Sequence, residues 1–362
     1  MYKLKLKKPD GRDLFLYSQK VISNEIVATS PQKTSLKANP HFRWHPLRGE
    51  WVSYASHRQN RTFFPPKEYN PLLPTSSLEY PTELPAGDYD IAVFENLFPS
   101  MTDRSTSAPD LIVPSMPGTG VCEVVVFAQD PTTSLSQFPL KHIELLVDVW
   151  SDRHLELGKR EHIQYVMPFE NKGVEVGVTL HHPHGQIYAY PFIPPIPARE
   201  LELSQSYLSQ HGRGLLEDLV QNELKEKRRI LFEGNSVVAF VPAFARYPYE
   251  VWVVPRRRLS SVADMNDFEK LDFARALKTV TMKYDGLWKR PFPYLMVFHQ
   301  APTDGRPHPE AHFHVEFYPP NRSSDRLKYL AGTELGAGMF ANDNLPEEKA
   351  AELQRIEVQI EE

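Results

Sequence analysis

The chain has 362 residues, enough for one large domain or two ordinary ones, and its 41% hydrophobic and 24% charged content is ordinary for a globular protein. A formal charge of −5 argues against a general nucleic-acid binder, while leaving room for a local basic pocket for a phosphorylated ligand. The one cysteine, Cys122, excludes an intrachain disulfide and any cysteine-rich metal site. No apolar run approaches the roughly 20 residues of a membrane span, and the first residues alternate charge with leucine, unlike a signal peptide. A soluble, cytoplasmic protein is expected. The 33 prolines cluster in loops such as PPKEYNPLLP and PFIPPIP, which makes long but stiff connections.

In chain order, residues 1–18 alternate as a β-hairpin turning at PDGR, an extension expected to add an edge strand. RWHPLRGEWVSYAS reads as a second hairpin turning at Arg48-Gly49, and after a proline-rich loop comes the short strand DIAVFEN. One plan then appears twice. CEVVVFA is a strand, and LKHIELLVDVWSDRHLELG is an amphipathic helix with Ile143, Leu146, Val147, Trp150 and Leu157 on one face. IQYVMPFEN follows, then the strand carrying HHPHGQ. The second copy runs YEVWVVPRR, the helix FEKLDFARALKTVTMKYDGLW, PYLMVFHQ and AHFHVEFYPP. Asn171 precedes His184 by 13 residues, as His299 precedes His312.

The expected fold is α+β, two duplicated halves of mainly antiparallel sheet flanked by helices. The divisions are a hairpin extension at 1–18, an N-terminal half at 39–198, a long polar linking helix at 199–230, and a C-terminal half at 231–362. Side chains two apart on a strand share a face. His182, His184 and Gln186 are therefore expected to point one way, and His312, His314 and Glu316 likewise.

A lone histidine is more often packed than functional, but H-x-H-x-Q with an internal proline and a following glycine is a specific pattern. Imidazole has an ordinary pKa of about 6.5 and is largely neutral and nucleophilic at neutral pH. It can attack phosphorus and form a phosphoramidate, dividing one transfer into two easier steps. Such transfers need positioning and charge stabilisation, which Gln186 and nearby arginines can supply. Glutamine cannot shuttle a proton to water, so its presence disfavours hydrolysis. A non-catalytic nucleotide-sugar binder is the contrasting class, but it has no use for an exposed nucleophile.

FENKG at 169–173, HPHGQ at 182–186 and the later HQAP…HFHVEFYPP resemble the galactose-1-phosphate uridylyltransferase family, of the histidine-triad superfamily. The likeness runs from about Asn39 to Glu334 in the same order of parts. It implies a ping-pong exchange: UDP-glucose gives UMP to a histidine, and galactose 1-phosphate then collects it. By motif position His184 is the nucleophile, Gln186 binds the transferred phosphoryl group, and Asn171 and Thr179 line the phosphate path. The family's paired arginines fall on Arg58 and Arg61, its strand asparagine on Asn96, and its sugar-site segment on Lys328 and Glu334. That segment comes from a neighbouring subunit in the family, implying a homodimer with shared sites. The alternative is a related nucleotidyltransferase or phosphorylase acting on ADP-glucose through the same His184 and Gln186.

The resemblance also bears on metals. The family's Cys-x-x-Cys zinc site is expected to be absent: no cysteine lies between Arg61 and Asn96, Pro131 stands at the further histidine's position, and only His182 remains. A second family site, for zinc or iron, maps onto Glu200 and His299 with either His314 and Glu316 or, two residues earlier, His312 and His314. Counting from His299 to Pro319 favours His314 and Glu316, and the site is expected to be structural. Specificity is less fixed, since Leu97, Thr333 and Phe340 depart from the family's usual aspartate, tyrosine and glutamine.

Overall fold

The computed structural model describes residues 1–34, 37–60 and 69–360. The charge–leucine alternation closes β1 (Tyr2–Lys7) on β2 (Asp13–Ser18), with Gly11 at φ +84° in the turn, where a side chain would be strained. Next come β3 (His41–His45) and β4 (Glu50–Tyr54), turning at Gly49 (φ +66°), and then β5 (Ile91–Glu95), β6 (Ser115–Pro117) and β7 (Val121–Val126). Helix α1 (Leu140–Gly158) leads to β8 (Tyr165–Lys172) and β9 (His184–Tyr190). Helices α2 (Pro195–His211) and α3 (Leu215–Glu226) precede β10 (Ile230–Glu233), β11 (Val237–Phe240) and β12 (Val251–Pro255). Helix α4 (Asp267–Leu287), β13 (Tyr294–His299) and β14 (His314–Tyr318) follow, then a short ribbon of β15 (Asn321–Ser323) and β16 (Arg326–Leu327), and α5 (Pro346–Gln354).

Eleven of these strands form one antiparallel sheet in the order β1-β2-β5-β7-β9-β8-β13-β14-β12-β11-β10. The two runs of strands meet at β8 and β13, where Leu295 faces Asn171 and Val297 faces Phe169. Strands β4, β3 and β6 form a separate small sheet.

One face of the large sheet is covered by α1 and α4. Ile143, Leu146, Val147, Trp150 and Leu157 are all buried, as the helical spacing requires, and Trp150 packs edge-on to Phe127 and Phe298. Burying each such side chain contributes about 1.5–3 kcal/mol. Asn266 caps α4 by accepting from the Glu269 amide, and Glu269 returns a bond to the Asn266 amide. Alternation sends Val125, Ile187 and Val166 into this helix-covered core. Val126 and Phe94 go to the opposite face, against the N-terminal hairpin's Leu14 and Leu16. The functional side chains stand on that second face.

The structure differs from expectation in four places. The linking helix over 199–230 is two helices, because Gly212 takes a left-handed conformation (φ +66°) that ends α2 and Gly214 begins α3. The hairpin of β10 and β11 was not anticipated. The histidine strands start later than their pattern suggests, at His184 and His314, so His182 and His312 lie before the ladders rather than on the same pleated face. The N-terminal hairpin adds two strands, not one.

Candidate active site

His184 opens β9 and is half-buried. Its Nδ1 lies 2.7 Å from the His182 carbonyl, which can only accept, so Nδ1 carries the proton and Nε2 keeps its lone pair. Burial pulls its pKa below the ordinary 6.5, keeping the ring neutral. His182 supplies that carbonyl while both its own ring nitrogens are engaged: Nε2 with the Ala128 carbonyl at 2.7 Å and Nδ1 with the Asn70 amide at 3.0 Å. Burial lowers the His182 pKa to about 4. A neutral, doubly anchored ring here fixes the loop that aims His184.

Next to His184 lies a cavity of about 380 Å³ whose lining includes Arg58, Asn96, Asn171, Thr179, His184 and Gln186. Six residues singled out from the sequence thus converge, although they come from five separate stretches of chain. Arg58 sits on a short 3₁₀ turn and donates to the Phe98 carbonyl at 2.8 Å. The Asn96 carboxamide oxygen accepts from the Phe98 amide at 2.9 Å, which locks the chain leaving β5. Leu97 is on the wall. Arg61 lies outside the described residues. Lys328 and Glu334 are not in this lining; they pair with each other at 3.5 Å, and the Glu334 carboxylate accepts from the Ala331 and Ala341 amides. Phe340 packs against Tyr247 and under the Arg246 guanidinium.

Sequence reasoning missed several wall residues. Tyr188 stands two residues beyond Gln186 on the same strand face, so period-2 counting identifies it. Pro31, Gln32 and Glu83 also line the cavity, brought there by loops whose sequence carries no signal of it.

The second half repeats the histidine geometry. His314 Nδ1 lies 2.9 Å from the His312 carbonyl, and His312 Nε2 lies 2.8 Å from the Pro255 carbonyl. His314 is therefore the counterpart of His184, and the 13-residue count pairing His299 with His312 does not carry over. The cavity beside His314 is smaller, about 200 Å³, and its lining includes Glu200, Trp252, His299 and His312; Trp252 stacks on His314 at 5.1 Å, and Glu316 stands where Gln186 stands in the first half.

Glu200, His299, His314 and Glu316 bring four ligand atoms within 4.8 Å of one another. His312 is not in the group, its Nε2 being taken by Pro255. Two imidazoles and two carboxylates suit zinc or iron. His299 Nε2 is buried without a hydrogen-bond partner, and His314 Nε2 points at a Glu316 carboxylate oxygen 3.2 Å away, a gap that a proton or a metal ion must fill. Burial alone lowers the His299 pKa, but Glu316 and Glu200 raise it to about 9. Glu316, which burial alone raises, is held at about 2 chiefly by His299. The carboxylates demand a positive charge in this site, and the donor set fits a divalent metal. The group sits on β14 and β13, three strands from β9 at its far edge, or roughly 14 Å at strand spacing.

Comparison with known proteins agrees with this geometry. Residues 30–194 match the family model for the galactose-1-phosphate uridyl transferase N-terminal domain, and residues 200–361 match that for its C-terminal domain. The galactose-1-phosphate uridylyltransferase of Thermotoga maritima is 39% identical over 88% of this chain and 99% of its own. That of Haemophilus influenzae is 34% identical over 88% and 95%. A solved uridylyltransferase superposes with a TM-score of 0.77 at 32% identity, covering 87% of this chain and 97% of that one. An ADP-glucose phosphorylase from Arabidopsis thaliana shares the fold, with a TM-score of 0.66 at 22% identity over 88% and 100%.

Proposed function

The chain belongs to the galactose-1-phosphate uridylyltransferase family and is a nucleotidyltransferase, and from that premise we propose the residues and steps by which it moves UMP from UDP-glucose to galactose 1-phosphate. What carries the reading is the His184 lone pair, presented at Nε2 toward a cavity shared with Arg58, Asn96, Asn171, Thr179 and Gln186. His184 Nε2 attacks the α-phosphorus, an N–P bond forms, and the P–O bond to the β-phosphate breaks. Glucose 1-phosphate leaves with the electron pair. The proton stays on Nδ1, hydrogen-bonded to the His182 carbonyl, which favours the positive charge the ring acquires. A phosphate oxygen of galactose 1-phosphate then attacks the same phosphorus and releases His184.

No general base is needed in either half, because the ring begins neutral and the acceptor begins ionised. The Gln186 amide donates to the phosphoryl oxygens, where developing charge is best met by fixed donors. Arg58, with Arg61, balances the phosphates, and Asn171 and Thr179 hold the transferred group in line. The likeness to the ADP-glucose phosphorylase supports the shared fold alone, so UDP-glucose is the favoured donor.

Glu200, His299, His314 and Glu316 would hold one zinc or iron ion, which when bound ties α2 to β13 and β14 and takes no part in transfer. Lys328 and Glu334, which are not in this cavity's lining, serve the cavity of a second copy in a cytoplasmic homodimer. The single buried cysteine and the absence, among the described helices, of any long and apolar enough to cross a membrane are compatible with that setting.

The test is incubation with UDP-glucose labelled at the α-phosphorus, without acceptor. Wild type should take up label that is lost in acid and kept in base, and galactose 1-phosphate should discharge it as UDP-galactose. His184→Ala should take up none. Label from ADP-glucose alone would replace the donor, and no label from either would sink the covalent mechanism. For the shared site, mixing His184→Ala with Lys328→Ala subunits should restore activity that neither has alone; no recovery refutes it.

A further inference from the structure

The N-terminal hairpin precedes the residues matched by the family model, which begins at residue 30, yet its turn is among the most polar buried regions of the molecule. Lys8, Asp10 and Arg12 are each 3% exposed, and Ser30 and Glu83, from two different loops, are equally buried. Arg12 joins them. Its Nε and Nη2 fork onto Asp10 at 2.9 and 2.7 Å, Nη2 also reaches Glu83 at 2.8 Å and Ser30 Oγ at 3.2 Å, and Nη1 donates to the Glu95 carbonyl at 2.8 Å. Ser30 Oγ in turn donates to Asp10 at 2.6 Å, and Lys8 holds Glu83 from the other side at 2.7 Å.

Each segment that Arg12 grips is a wall of the cavity in front of His184. Ser30 is next to Pro31 and Gln32, Glu83 is itself in the lining, and the Glu95 carbonyl lies between Phe94 and Asn96, which both line it with Leu97. These segments have no common ladder to set their spacing, because two are loops and the third is the end of β5. A guanidinium with five donors in a rigid fork can hold three segments at fixed separations, as a lysine cannot.

We propose that Arg12 is a positioning residue that sets the width of the nucleotide end of the cavity, so that the hairpin turn controls capture of the nucleotide sugar. This rests on the uridylyl-transfer reading and adds a residue to it. The β5 end it holds stands two strands from β9, which carries His184, so the role assigned to Arg12 is in binding the free nucleotide rather than in transferring phosphorus. In a two-step exchange that distinction is measurable. The nucleotide sugar must be captured from solution, whereas in the second step the nucleotide is already covalently attached.

Arg12→Met should lower kcat/KM for UDP-glucose by roughly tenfold to a hundredfold, the scale of a misplaced binding wall. It should leave kcat/KM for galactose 1-phosphate within about threefold, since misfolding would lower both alike by reducing the active fraction. Ser30→Ala breaks one link without stranding a buried charge and should give the same split at a smaller size. Lys3→Ala, which loosens the hairpin at its contacts with Asp152 and Glu156 under α1, should give no split. Equal losses for both substrates, or no loss in either variant, would overturn the proposal. Calorimetric titration with UMP keeps it separable from the transfer reading: weaker UMP binding in Arg12→Met supports it, and unchanged binding refutes it, whether or not wild type becomes labelled.

Discussion

Gly185, between the proposed nucleophile and Gln186, has no room for a side chain. A Cβ built there lies 2.8 Å from Phe127 Cζ and 2.8 Å from the Phe169 carbonyl oxygen. Comfortable contacts begin near about 3.5 Å, so Gly185→Ala must open each by roughly 0.7 Å. Phe127 is fully buried and packed edge-on against Trp150, so it cannot retreat. The Phe169 oxygen belongs to β8, whose ladder places Phe169 opposite Gln186. Strand β9 must therefore move away from β8 where His184 and Gln186 stand. Overpacking of this kind costs about 1–3 kcal/mol, read as a fall of a few degrees in Tm. The displacement should slow label uptake from UDP-glucose by roughly tenfold to a hundredfold, with UMP affinity changed far less, because the nucleotide walls are elsewhere. Rapid-quench labelling beside calorimetric UMP binding measures both. Uptake within twofold of wild type would show that β9 tolerates the methyl and that the close approach of glycine does not set the nucleophile's position.

Gln186→His should let water discharge the uridylyl-enzyme, shortening the labelled intermediate's lifetime without acceptor by roughly a hundredfold, the lower end of general acid–base assistance; an unchanged lifetime refutes the role given to Gln186. Protein purified without chelator should carry zinc or iron by elemental analysis, and Glu316→Gln should lose it, together with several degrees of Tm; metal-free wild type of undiminished Tm would remove the metal. For pH, burial lowers the His154 pKa to about 4, and burial raises the Glu170 pKa to about 7. His154 stays neutral in the fold, so its stability contribution is full above about 6.5 and falls as pH drops toward 4. Glu170 behaves oppositely: its contribution is full below its unfolded value near 4.5 and lost as pH rises through 7. Between pH 7.5 and 5.5, denaturant unfolding should show His154→Leu gaining about 1 kcal/mol relative to wild type and Glu170→Gln losing about 2 kcal/mol; shifts of the same sign would refute the assignment.

Much of this was legible in the sequence where the code is periodic. The apolar face of α1 and the alternation of β1 follow from spacing alone. FENKG and HPHGQ announce the chemistry because a phosphorus nucleophile and its fixed donors need particular residue types in a particular order. Tertiary facts were not legible. That Glu83 and Gln32 form cavity walls depends on Arg12, distant in sequence from both, and nothing local in those loops encodes it. The ladder's start at His184 was hidden for a related reason. Pro183 donates no amide hydrogen, while its carbonyl accepts from Phe127 and turns His182 away from the pleat. Alternation cannot show where pairing begins.

The two halves show how one scaffold acquires two uses. In each, a histidine donates Nδ1–H to the carbonyl two residues earlier and turns Nε2 away from the backbone. In the first half the partner across the ladder from Gln186 is Val124, small enough to leave the cavity open. In the second, the residue across from Glu316 is Trp252, which covers His314. The lone pair of His184 therefore faces the open cavity, whereas His314 Nε2 lies 3.2 Å from a Glu316 carboxylate oxygen, beside the stacked ring of His299. On the proposed assignments, the same backbone geometry serves a nucleophile in one half and a metal ligand in the other, where an indole covers the ring and a carboxylate replaces an amide. Trp252→Val should accordingly widen the cavity beside His314 yet yield no second labelled histidine, because Glu316 repels the incoming phosphate. Two labels per chain would mean that packing alone, and not charge, separates the two halves.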